Sequence, residues 1–145
     1  YANTADSLKK VLEIFKPITV GKLILVFGAT GGGRDKAKRP EMGKVAQAFS
    51  DVIILTNDDP YEDDQLEIID QIAKGIPRLE GEKFWKVVDR RQAIRLALNL
   101  ADEQDMVIIA GKGGEEVMVI GDQKIPWDDR KVVRELLARE LRLDL

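Results

Sequence analysis

Three short segments of this sequence hold the side chains best suited to chemistry. In the first, Gly28-Ala-Thr-Gly-Gly-Gly33 is followed by Arg34, Asp35, Lys36, Lys38 and Arg39. Glycines let backbone N–H groups approach an anion closely, and the cations stand beside a helix start, so phosphate or carboxylate binding is sensible there. A flexible turn leading into a solvated basic helix face would look the same. The Gly-Lys-Ser/Thr ending of a P-loop is missing, and the dinucleotide fingerprint does not fit cleanly. The second segment, Thr56-Asn57-Asp58-Asp59-Pro60-Tyr61-Glu62 with Asp63 and Asp64 behind it, gathers carboxylates that can pair with an ammonium or hold magnesium through water. Asp and Asn also begin ordinary turns, and acids are favoured at helix starts. In the third, Ala110-Gly111-Lys112-Gly113-Gly114-Glu115, a lysine between glycines can meet a carboxylate or phosphate, and Glu115 can accept from an amine. A plain glycine turn is the alternative.

Each segment follows an apolar run that can position it. Lys22 to Phe27, Asp51 to Thr56 and Asp105 to Ala110 read as strands buried on both faces of a parallel sheet. Between them the apolar spacing is helical. Thr4 caps a helix carrying Leu8, Val11, Leu12 and Phe15, which Pro17 stops. Pro40 opens a second helix with Met42, Val45, Ala46 and Phe49 inward. Leu66, Ile69 and Ile72 mark a third, with Gly75 in the place of a helix C-terminal glycine. Asp89 and Gln92 resemble a capping box before Ala93, Ile94, Ala97 and Ala101, after a short extended piece from Phe84 to Val88. Val117 to Ile120 and Gln123 to Ile125 predict a hairpin about Gly121-Asp122. Asp128 caps a last helix with Val133, Leu136, Leu137 and Leu141 inward. The expected fold is α/β, a Rossmann-like three-layer sandwich whose mostly parallel sheet carries an antiparallel hairpin at its edge. In such a sheet the binding crevice lies beyond the carboxyl ends of the strands, where all three segments fall.

Composition narrows the chemistry. The 145 residues predict a single domain spanning 1–145. The chain has 23 basic and 26 acidic residues, a formal charge of -3, which argues against a dedicated nucleic-acid binder. It contains no cysteine and no histidine, excluding disulfides, thiolate or imidazole metal sites and every Ser/His or Cys/His nucleophile pair. Chemistry must come from carboxylates, lysines, arginines and backbone amides. No apolar run approaches the roughly 20 residues of a membrane span, and a soluble cytoplasmic monomer is expected. Trp85 and Trp127 read as packing residues.

Taken in order, these segments resemble the carboxy-terminal domain of the Mur ligases, most closely the ligase that adds the third peptide residue to UDP-N-acetylmuramoyl-dipeptide. Tyr1-Ala-Asn-Thr-Ala-Asp-Ser-Leu8 is similar to the family's Tyr-Ala-His-Thr-Pro-Asp-Ser-Leu opening. Gly32-Gly33-Arg34-Asp35-Lys36-Ala37-Lys38-Arg39-Pro40 resembles its Gly-Gly-Asp-Arg-Asp-Lys-x-Lys-Arg-Pro loop, and Asp58-Asp59-Pro60-Tyr61 stands in the place of its Asp-Asn-Pro-Arg specificity motif. Asp89 to Ile94 resembles Asp-Arg-x-x-Ala-Ile, Ala110 to Glu115 resembles Ala-Gly-Lys-Gly-His-Glu, and Trp127 to Arg130 resembles aromatic-Asp-Asp-Arg. The resemblance implies amino-acid substrate binding by Arg34, Asp58, Asp59, Pro60, Tyr61, Gly111 and Glu115. It implies nucleotide contacts from Asn3, Asp35, Lys38 and Arg39.

The resemblance also implies ATP and Mg2+ as cofactors of a full-length ligase, with amino-terminal and central domains as partners. Those domains would bring the phosphate-binding loop, the magnesium ligands and the UDP-sugar site. Such ligases activate a carboxylate as an acyl phosphate, which the amino group then attacks. No catalytic residue, no metal ligand and no activity are therefore expected of this chain alone. Asn3 and Gly114 stand where the family has histidine, Ala5 replaces proline, Asp59 replaces asparagine, and Tyr61 replaces the arginine that recognises a distal carboxylate. A carboxylate at Asp59 without that arginine suits a distal ammonium, as in lysine, better than a distal carboxylate. The missing histidines, and a start near the family's domain boundary, suggest an excised or engineered piece. The competing expectation is a non-catalytic α/β scaffold that retains no ligand binding.

Overall fold

The computed structural model describes residues 1–33 and 36–143, with side chains through 139. Four parallel strands, β1 (Leu23–Phe27), β2 (Val52–Leu55), β3 (Phe84–Lys86) and β4 (Met106–Ile109), form one sheet in the order β3-β2-β1-β4. Their residues alternate between two cores, as the pleat requires. Leu23, Leu25 and Phe27 face one core with Ile53 and Leu55, whereas Ile24, Val26, Val52 and Ile54 face the other. The first core is covered by α1 (Ala5–Phe15), α2 (Arg39–Phe49) and α3 (Gln65–Ala73). Helices α4 (Arg90–Leu100) and α5 (Asp129–Leu143) cover the second, so the three-layer α/β arrangement holds.

Local chemistry explains the element ends. Thr4 and Ser7 close a reciprocal capping box on α1, Asp64 accepts from Leu66 N and Glu67 N, and Asp89 accepts from Gln92 N at the start of α4. Pro17 lies in a 3-10 turn, Lys16–Ile18, that ends the first helical stretch.

The structure departs from the sequence expectation in five places. The predicted hairpin, β5 (Val117–Ile120) with β6 (Gln123–Pro126), forms its own two-stranded ladder instead of extending the parallel sheet. It is fastened to the loop after β2 by a bridge between Tyr61 and Ile120. Strand β4 is only half-buried because it is an edge strand, a place that periodicity cannot reveal. In α3 the inward stripe is Ile68, Ile69 and Ile72 while Leu66 is exposed, and in α5 Val132 and Leu136 are buried while Leu137 is exposed. Leu141 lies outside the residues whose side chains are described. Finally, Gly75 follows α3 but does not take a positive φ. Its reason is proximity: a Cβ on Gly75 would strike the Pro40 carbonyl, and one on Gly43 would strike that of Ile72, so two glycines let α2 and α3 pack closely.

Candidate functional site at the carboxyl edge of the sheet

Because all four strands run parallel, the loops after β1, β2 and β4 emerge on the same edge, and hydrogen bonds tie them together. Gly31 N donates to the Asp59 carbonyl at 2.8 Å, joining the first loop to the second. The second and third meet at Lys112, whose side chain is completely buried. Its Nζ lies 2.8 Å from Asp59 Oδ1, 3.2 Å from Glu115 Oε2 and 3.8 Å from Asp58 Oδ1. Burial disfavours this ammonium, but the hydrogen bond to Asp59 and the charges of Asp58 and Asp59 outweigh it and hold the Lys112 pKa above its ordinary value.

Three carboxylates around one ammonium leave an excess of negative charge. Asp58 is the most constrained of the three. It is 3% exposed, and among the described residues its Oδ2 has no hydrogen-bond partner. Burial pushes its carboxyl up to about 6, against the pull of Arg90 and Lys112. Asp58 Oδ2 is closed to solvent, so what the cluster offers a cationic ligand is its excess of negative charge.

Gly111, at φ +107°, lets the third loop pass over Asp58. A Cβ there would collide with Asp58 Oδ2. Gly111→Ala is therefore expected to cost about 1–3 kcal/mol through the strained backbone alone and to displace the Asp58 carboxylate. Urea unfolding checks the stability loss, and movement of the Asp58 carboxyl resonance checks the displacement. An alanine variant as stable as the parent would contradict this reading.

The geometry is held from below by Arg90, which sequence reasoning placed in a motif without giving it a partner. Its guanidinium is fully buried and grips Asp129 at both ends, Nε to Oδ1 at 2.9 Å and Nη2 to Oδ2 at 2.8 Å. It also donates to the carbonyls of Asn57 at 2.7 Å and Ala110 at 3.2 Å, the bases of the second and third loops. Asp129 accepts from Trp127 Nε1 at 2.7 Å as well. One ion pair thus joins both site loops to the starts of α4 and α5. Its trace in the sequence is an arginine just after one cap and an aspartate at the first position of another helix, 39 positions apart, each in a motif that does not name the other.

The expected residues divide as follows. Asp58, Asp59, Gly111 and Glu115 come together. Pro60 is buried next to them, and Tyr61, at φ 52°, lays its ring against Gly32. Arg34 and Asp35 lie outside the described residues. Asn3, Lys38 and Arg39 line a separate cleft of about 400 Å³ between the start of α1 and the start of α2, together with Thr30 and Met42. Arg39 is 3% exposed and mostly engaged internally, donating to Gln71 Oε1 at 2.6 Å and to the Thr30 carbonyl at 3.2 Å. Its Nε–H is buried and has no hydrogen-bond partner among the described residues. The described residues contain no group of three or more Asp or Glu side chains placed to hold a metal ion. No helix among them is long and apolar enough to cross a membrane.

Comparison with protein families matches residues 1–113 to the Mur ligase, glutamate ligase domain. The chain belongs to this family. As a Mur ligase domain it is similar to UDP-N-acetylmuramoyl-L-alanyl-D-glutamate--2,6-diaminopimelate ligases. That of Caldanaerobacter subterraneus subsp. tengcongensis is 47% identical over 138 residues, 95% of this chain and 28% of the relative. The Aquifex aeolicus ligase gives the same identity over the same length and shares. A solved structure of a ligase of this name is 36% identical with a TM-score of 0.88, covering 97% of this chain and 28% of that one. The Mur ligase domain thus spans about 28% of the length of the curated relatives it matches.

Proposed function

We propose that this domain serves a cytoplasmic, ATP- and Mg2+-dependent ligase of peptidoglycan precursors as the part that receives the incoming amino acid. The observation that carries this reading is the excess of carboxylate around Lys112, with an unpartnered oxygen on Asp58. An amino acid brings an ammonium, and a diamino acid such as the 2,6-diaminopimelate in the relatives' names brings two. Asp58 and Glu115 would hold that ammonium, with Gly111, Pro60 and Tyr61 beside them, and the motif resemblance adds Arg34 as a further substrate contact. Asn3, Lys38 and Arg39 would meet part of the nucleotide in the second cleft, and the motif resemblance adds Asp35 as a further nucleotide contact. When bound, ATP supplies the phosphoryl group that activates the acceptor carboxylate. The residues of this domain would hold the ammonium that does not react and so orient the other amino group, which must give up a proton before it attacks. Amino-terminal and central domains would supply the rest, and the domain by itself is proposed to make no amide bond.

Titration of the domain with 2,6-diaminopimelate, lysine and ATP, followed by backbone amide shifts, tests the reading. Saturable shifts confined to the segments around Asp58, Gly111 and Glu115 are expected for the amino acids. For ATP they should centre on Asn3, Lys38 and Arg39. Absence of any shift at millimolar ligand would favour a scaffold without ligand binding.

A further inference from the structure

Of the carboxylates at this edge, Asp59 differs from its neighbours in what its oxygen already does. Asp59 Oδ1 accepts from Lys112 Nζ at 2.8 Å and from Val119 N at 2.9 Å. Beside it, Tyr61 N donates to the Val119 carbonyl at 3.2 Å, and Gly121 N donates to the Tyr61 carbonyl at 2.6 Å. These contacts stitch the β5–β6 hairpin along the loop after β2. They are the more important because the hairpin shares no ladder with the main sheet. Asp58 presents the opposite picture, a carboxylate beside the same ammonium whose Oδ2 is engaged by nothing among the described residues.

We infer that Asp59 is a positioning residue: through Lys112 and the Val119 amide it locks the hairpin and the third loop around the pocket, and leaves the ligand's ammonium to Asp58 and Glu115. The assignment deepens the amino-acid-binding reading and rests on it for the ligand, but the lock is a property of the protein alone. An oxygen acceptor at this position is what the lock needs, whereas a direct ligand contact needs the charge. Asparagine keeps the first and removes the second, while alanine removes both.

The test compares Asp59→Ala, Asp59→Asn and Asp58→Asn in the intact chain. Without ligand, hydrogen exchange at the Val119 and Tyr61 amides should accelerate at least about fivefold in Asp59→Ala while β1 amides stay unchanged, and Asp59→Asn should restore slow exchange. With 2,6-diaminopimelate or lysine added, Asp58→Asn should weaken binding about tenfold or more and Asp59→Asn by less than about threefold. Unchanged exchange in Asp59→Ala overturns the lock, and a loss in Asp59→Asn as large as in Asp58→Asn overturns the division of roles. If Asp59→Ala does not fold, the asparagine variant alone decides, since a positioning role requires it to keep both slow exchange and affinity. Absence of binding by the parent chain would sink the amino-acid reading and leave the exchange comparison to judge the lock.

Discussion

Replacing Arg90 with methionine should lower the unfolding free energy by about 4 kcal/mol. The side chain is fully buried, and its removal strands Asp129, itself 8% exposed, with a charge stripped of its bidentate partner. The carbonyls of Asn57 and Ala110 lose their donors at the same moment. A buried ion pair is not stabilising merely by existing, because both charges gave up hydration to form it. Breaking it from one side is what costs so much. The double variant Arg90→Met with Asp129→Leu should accordingly be more stable than either single variant. Urea unfolding followed by tryptophan fluorescence measures all four species. A loss below about 1 kcal/mol in the single arginine variant would show that the clamp is not needed.

Asp58→Asn should do the reverse and stabilise the domain, by an amount that depends on pH. In the folded chain the Asp58 carboxyl titrates at about 6, above its ordinary 3.8. A raised carboxyl pKa means that the folded state prefers the protonated form, so stability is fullest below the ordinary value and is lost as pH rises through about 6. A shift of this size corresponds to roughly 3 kcal/mol, an upper bound that asparagine, unable to ionise, should partly recover. The variant should therefore be about 2 kcal/mol more stable than the parent at pH 8 and nearly equal to it at pH 4. Thermal or urea unfolding across that range checks it. The same gain at both pH values would mean that packing, not ionisation, sets the cost. A residue that destabilises its own fold at neutral pH is a reasonable place to look for ligand binding, since function commonly draws on such reserves.

Much of this was legible before any coordinate. Continuous apolar runs announced the strands, and Thr4 and Asp89 cap the helices whose starts they were expected to mark. The family resemblance implied amino-acid binding by Asp58, Gly111 and Glu115, and parallel strands bring their loops to one edge. The finer assignments failed where two phases of a short helix were nearly equivalent, as at Leu66 against Ile68. They also failed where a residue's partner was distant in the chain, as for Arg90 and Asp129.

What the sequence determined by itself is the alternation of buried strand and amphipathic helix, the helix starts, and the chemical vocabulary of carboxylates and amines left by the absence of histidine and cysteine. Those are local matters, decided within a few residues by burial, hydrogen bonding and side-chain type. Only the tertiary structure decided that Lys112 neutralises part of a carboxylate cluster, that Asp58 Oδ2 lacks a partner among the described residues while Asp59 Oδ1 holds both Lys112 and the Val119 amide, and that the hairpin leans on Tyr61 and not on β4. Charges interact through space, and which of them meet depends on how the loops close over one another.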